Sequence, residues 1–190
     1  MFILVCYINF MNKRDNILNA ALHLLVTQGE QATSMKWIAK EAKCGIGTMY
    51  NYFPSKENLI NILYLELKKK HMKHFSGFDT DKPIKQQFFD TWRKALKYTI
   101  DHSIESKFLE ICHHSPIISE QSKQQGLELL NPIIKILKKG KKEGIIKNQD
   151  SMQLVIFVSG SITASVLSRP EMSSEDINAI LSMAWDAIKE

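Results

Sequence analysis

From Lys13 onward, apolar residues return every three to four positions, and no run of neighbouring segments alternates residue by residue, so the chain reads as all-α. The periodicity predicts a first helix over about Lys13–Gln28, with Ile17, Leu18, Ala21, Leu22 and Leu25 on one face and Gly29 as its stop. A short helix follows from Ser34, capped by Thr33 or Ser34, with Ile38, Ala39 and Ala42 turned inward. Lys43-Cys44-Gly45 breaks the pattern. A third helix then spans about Gly45–Tyr52 with Met49 and Phe53 as inward anchors, and Pro54 ends it, because the residue before a proline is driven out of helical geometry. Ser55 caps a long fourth helix reaching about His74, with Glu57 in its positive first turn and Leu59, Ile60, Ile62, Leu63 and Leu67 on its apolar side.

The stretch 75–81 interrupts the repeat, and Pro83 suits the first turn of the next helix. Ile84, Phe88, Trp92, Ala95, Leu96 and Thr99 make a broad stripe there, continued by Ile104, Phe108, Leu109 and Cys112. After Pro116, one helix is expected over about Ser119–Lys139, kinked by Pro132, with Gly140 and Gly144 bracketing a basic turn. The last two helices are expected at about Ser151–Leu167 and Ser174–Lys189, the second opening with a Ser173-x-x-Asp176 capping box. The helix from Ser151 is apolar nearly all round, yet shorter and more polar than a bilayer span of about 20 apolar residues. No membrane is therefore expected. Protein must cover it, and in so small a body a second copy of the chain most easily covers the last side.

These breaks divide the chain into a three-helix head with its long exit helix over residues 12–74 and a larger helical body over 75–190. Residues 1–11 precede the head. Phe2 to Phe10 lacks both the basic start and the small-residue end of a signal peptide, so it reads either as a real extension packed on the first helix or as upstream sequence before a start at Met11.

Composition narrows the class. With 190 residues, 44% hydrophobic and 24% charged, the chain is neither disordered nor low-complexity. Cys6, Cys44 and Cys112 lie far apart with no C-x-x-C pair, which fits three free thiols in a reducing cytoplasm and no metal or cofactor. His71 and His74, three apart, read as a polar helix face rather than metal ligands, and His113-His114 beside Cys112 as a turn. Gly45-x-Gly47 lacks the rest of a dinucleotide fingerprint, and no nucleophile or phosphate-loop string is present, so nothing argues for an enzyme.

Charge is uneven. Residues 12–75 carry ten basic against five acidic side chains, whereas the remainder from 76 balances fifteen against fifteen. A neutral body on a basic head is the footprint of a protein that presents one end to nucleic acid. Helix, short break and second short helix is the spacing of a helix-turn-helix, whose later helix enters the major groove. In that helix Gly45 and Gly47 permit close backbone approach, Thr48 and Asn51 suit bases or phosphates, and the hydroxyls of Tyr50 and Tyr52 suit phosphates.

The string Thr33-Ser34-Met35-Lys36-Trp37-Ile38-Ala39-Lys40-Glu41-Ala42, followed by Gly47-Thr48-Met49-Tyr50-Asn51-Tyr52-Phe53-Pro54-Ser55-Lys56-Glu57-Asn58-Leu59, resembles the DNA-binding head of the tetracycline-repressor (TetR) family. It departs from the family in having Lys43 where the turn often has glycine and Gly45 where serine often caps the recognition helix. The resemblance implies that Thr33, Ser34, Met35, Lys36, Gly45, Ile46, Gly47, Thr48, Tyr50, Asn51, Tyr52 and Lys56 touch a double-stranded operator. It also implies a homodimer, with Phe157, Ser161, Ile162, Ile177, Leu181 and Trp185 expected at the interface. A small-molecule effector is implied as well. Phe88, Trp92, Tyr98, Phe108 and Phe157 are its expected lining, which suits an apolar or aromatic ligand, although such residues are more often plain core. The competing function is a helical ligand-binding or interaction protein without specific DNA binding.

Overall fold

A computed structural model describes residues 12–74, 79–113, 115–169 and 171–190. The expected extension at 1–11, the start of the interruption at 75–78 and His114 lie outside the described residues. In the head, α1 spans Lys13–Gln28, α2 Met35–Glu41, α3 Ile46–Tyr52 and α4 Lys56–His74. In the body, α5 spans Ile84–Asp101, α6 Ser103–His113, α7 Glu120–Glu128, α8 Asn131–Lys142, α9 Ser151–Ser168 and α10 Ser174–Ile188. Among the described residues the only extended pairing is an isolated bridge between Ile146 and Lys189.

Local chemistry sets most of these ends. Ser34 Oγ accepts from Trp37 N at 3.2 Å and Ser55 Oγ from Asn58 N at 3.0 Å, each satisfying a backbone donor that the first helical turn leaves open. Ser173 and Asp176 form the reciprocal capping box at the start of α10. Gly29 stops α1 at φ +82°, a conformation that side chains oppose.

The expectation of one kinked helix over 119–139 is corrected. The chain turns at Leu129-Leu130 and starts again, leaving Pro132 in the first turn of α8, where its missing N–H removes no intrahelical bond. Nor does Gly140 begin a turn. It lies inside α8, and a methyl there would sit 2.5 Å from Ile146 Cδ1 and 3.0 Å from Ile84 Cγ2. Its carbonyl accepts from the backbone N–H groups of Ile145 and Ile146, so the following turn folds back onto the helix.

Among the described residues, two apolar clusters hold the fold. The head cluster gathers Ile17, Ala21, Ile38, Met49, Phe53, Leu59 and Ile60, and it also takes in Phe108, Cys112 and Ile118 from the body. The second cluster packs Phe88, Trp92, Leu96, Val158, Ile162, Leu181 and Trp185. Thus α6 belongs physically to the head's core and rests on α1 and α4. Asn61 on α4 reinforces the seam: its Nδ2 donates to Ile117 O at 2.8 Å, and its Oδ1 accepts from Ser119 N at 2.9 Å. At the other end, Lys147 N donates to Ile188 O and Glu190 N to Ile145 O, tying the C-terminus to the turn after α8.

Candidate nucleic-acid interface

The recognition helix α3 divides sharply between its two faces. Met49 and the following Phe53 are fully buried, while Ile46 is 44% and Tyr50 49% exposed, with Gly47 and Asn51 also in solvent. Positions 46, 47, 50 and 51 lie on one side of a helix, so this short segment presents a compact outward face. Thr48 is half-buried and Tyr52 exposed at its flank. Gly45, at the N-cap, supplies no side-chain acceptor to the first turn. Beneath the helix, Arg14 lies 5.7 Å from the centre of the Phe53 ring and hydrogen-bonds Glu66, joining the start of α1, the end of α3 and the middle of α4. That bond with Glu66 holds the Arg14 guanidinium above its ordinary pKa.

Several of the expected contact residues point elsewhere. Thr33 is fully buried and its hydroxyl donates to Gly29 O at 2.7 Å; Met35 is buried in the head core. Their side chains are unavailable to a duplex. Lys56 is also committed: its ammonium donates to Glu30 O at 2.8 Å and Thr33 O at 3.3 Å and pairs with the Glu30 carboxylate at 2.6 Å. Ser34, with its hydroxyl capping α2, and Lys36 remain exposed. Trp37, not among the expected contacts, is 38% exposed on the same helix, and its neighbours Lys36 and Lys40 are exposed as well. An aromatic residue at an outward helical position was the available signal. Lys43 takes φ +52°, the left-handed conformation that glycine adopts freely and a side chain opposes.

The body brings only some of its expected residues together. Phe88 and Trp92 pack with Trp185 in the body core, the Phe88 and Trp185 rings 5.2 Å apart. Phe108 lies in the head cluster instead, Tyr98 hydrogen-bonds Glu105, and Phe157 is 55% exposed. These five therefore do not line one shared cavity. Of the residues expected at the dimer interface, Ile162, Leu181 and Trp185 are buried within the protomer and Ile177 is half-buried, whereas Phe157 and Ser161 face out. The outward stripe of α9 is Ile156, Phe157, Gly160, Ser161 and Ala164, beside a shallow groove of about 560 Å³ lined by Ala164, Met172, Ala179, Ile180 and Met183 together with the polar Ser165, Ser168, Arg169 and Asp176, from α9, α10 and the turn between them. By length and composition alone α9 is long and apolar enough to cross a membrane, and it packs on α5, α8 and α10. Among the described residues no group of three His, Cys, Asp or Glu side chains is placed to hold a metal ion.

The family of "Bacterial regulatory proteins, tetR family" matches residues 17–62, and the "Tetracyclin repressor-like, C-terminal domain" matches residues 60–190. The chain belongs to the TetR family. Its head and body together are thus those of a TetR-family transcriptional regulator that binds DNA through a helix-turn-helix. It is 24% identical over 181 residues to the uncharacterized HTH-type transcriptional regulator YhgD of Bacillus subtilis, covering 91% of this chain and 94% of that protein. A TetR-family regulator from Shewanella sp. PV-4 superposes with a TM-score of 0.86 at 25% identity, over 94% of this chain and 98% of that one. The flavonoid-responsive regulator FrrA superposes with a TM-score of 0.66 at 25% identity, over 93% and 97%. Within this TetR-family head, the departures at Lys43 and Gly45 fall at the strained turn and at the cap without a side-chain acceptor.

Proposed function

We propose that this TetR-family protein is a homodimeric, ligand-responsive repressor that occupies a palindromic operator in the cytoplasm. The observation that carries the reading is the outward face of Ile46, Gly47, Tyr50 and Asn51 above the buried Met49 and Phe53. Lys36 and the Ser34 end of α2 flank that face and reach the phosphate backbone, while Thr33, Met35 and Lys56 hold its supporting turn. Two such heads must meet successive major grooves about 34 Å apart, which requires a fixed dimer.

The dimer forms through Phe157, Ile156, Gly160, Ser161 and Ala164 on α9 with Met183 on α10, where apolar and small side chains stand exposed side by side. The effector is a small apolar or aromatic molecule, a class consistent with the flavonoid response of FrrA and with the aromatic body core. It acts by population shift, preferring a body conformation whose heads are wrongly spaced. The insertion of Phe108, Cys112 and Ile118 into the head core is the route by which a change in α6 would tilt the head.

The test is a mobility shift of the purified protein on DNA flanking its own gene. Binding that falls steeply with salt, and that Tyr50→Ala weakens while leaving the dimer intact, is the expected result. A monomer that retards no fragment would overturn the reading.

A further inference from the structure

Around Tyr98 on α5, buried to 3% exposure, three imidazoles collect. The His71 ring of α4 stacks on Tyr98 at 4.7 Å and 23°, the His102 ring at the end of α5 stacks at 4.1 Å and 10°, and the His74 ring of α4 leans in at 4.8 Å and 43°. The Tyr98 hydroxyl donates to Glu105 Oε2 at 2.6 Å, and Lys70 Nζ of α4 pairs with Glu105 Oε1 at 2.6 Å. Helices α4, α5 and α6 therefore meet at one side-chain cluster. Its position is significant: α4 runs from this point back into the head as far as Lys56, which follows closely on the recognition helix in the chain, and α6 packs directly on α1.

We propose that this cluster is an acid-sensitive latch between body and head: neutral His71, stacked on Tyr98, holds α4 against α5 and α6, and protonated His71 releases it. The groups facing His71 are mostly cationic or potentially so. Lys68 and His74 on α4 and His102 at the end of α5 all oppose a positive charge there, while the favourable carboxylate of Glu105 on α6 already accepts from Tyr98 and Lys70. The helices α1 and α7 also pack on α4, and the charges named as acting on the ring come from α4, α5 and α6. Burial adds the largest penalty, and together these hold the His71 imidazole down at about 4, against an ordinary 6.5. The packed state thus accommodates the neutral ring. The latch has its full strength above about pH 6.5, and it weakens progressively as the pH falls towards 4.

If the released ring regains its ordinary pKa, the ratio of latched to released protomers falls about 20-fold between pH 7 and pH 5. The direction is diagnostic. Acid only adds positive charge to the basic head, so ordinary electrostatics tightens DNA binding on acidification, whereas release of the latch loosens it.

The inference rests on the DNA-binding reading above, and the experiment separates the two. Operator affinity of the full-length protein is measured from pH 7.5 to 5.0 at constant ionic strength for wild type, His71→Phe, which keeps a stacked ring without a titrating nitrogen, and His71→Gln as a second variant should the first misfold. In parallel, histidine and Tyr98 ring resonances are followed by NMR without DNA. The latch predicts a loss of affinity in the wild type between pH 7 and 5, up to about 20-fold, flattened in the His71 variants, with His71 titration accompanied by loss of its ring-current effect on Tyr98. Identical pH profiles in wild type and variants, or a Tyr98 environment unchanged as His71 titrates, would overturn it. Failure to bind any operator at any pH overturns the DNA-binding reading instead, and the NMR titration then decides the latch by itself.

Discussion

Replacing Lys56 by methionine separates two roles that the head could ask of one cation. The substitution keeps the apolar stem and removes the ammonium that donates to Glu30 O and Thr33 O and pairs with the Glu30 carboxylate. A hydrogen bond from a charged group contributes about 1.5–3 kcal/mol when well shielded. Here the lysine side chain is 27% and the glutamate 38% exposed, the Thr33 bond is long at 3.3 Å, and water can reach the turn, so the ion pair itself adds about 0.5 kcal/mol or less. The net loss is about 1–2 kcal/mol, a fall in Tm of about 3–6 °C for a chain of this size. Thermal unfolding followed by circular dichroism at fixed protein concentration reads that loss, and anisotropy titrations of an operator at several salt concentrations read the other role. If Lys56 supports the turn, stability falls while the slope of log affinity against log salt stays as in the wild type. An unchanged Tm with a slope shallower by about one unit would mean that the ammonium leaves the turn for a phosphate, and would refute the reasoning.

Three further substitutions test other parts of the structure. Lys43→Gly relieves the left-handed strain at φ +52° and should raise stability by about 1 kcal/mol in urea titration. Gly140→Ala gains about 1 kcal/mol of helix propensity but forces a methyl against the buried Ile146 and Ile84, where overpacking costs about 1–3 kcal/mol; a net fall in Tm is expected. Phe157→Glu places a charge on the proposed dimer face, outside either core cluster, so sedimentation should show dimer association weakened by about 100-fold with the monomer still folded.

Helix ends were legible in the sequence wherever a single residue decides them. Gly29, Pro54, Ser34 and the Ser173–Asp176 pair act on their own backbone, so their effect needs no knowledge of the fold. The division between α7 and α8 was not, because Leu127, Leu130, Ile134 and Leu137 keep helical spacing across the turn and Pro132 suits a kink as well as a first turn. Gly140 resembled a turn residue for the same reason; only Ile84 and Ile146 explain it. At the candidate interface, the inward Met49 and Phe53 followed from spacing, whereas the engagement of Lys56 with Glu30 depends on a contact 26 residues away. His71 and His74 were visible as a pair on one helix face. That they share Tyr98 with His102 depends on how α5 crosses α4.

The three tryptophans give the two halves of the molecule separate optical signatures. Trp37 stands partly in solvent on α2, while Trp92 and Trp185 are enclosed in the body core. Head emission is therefore expected at longer wavelength and open to quenching by acrylamide, with body emission at shorter wavelength and shielded. A single unlabelled sample then reports an event in the head and an event in the body as changes in different components of one spectrum.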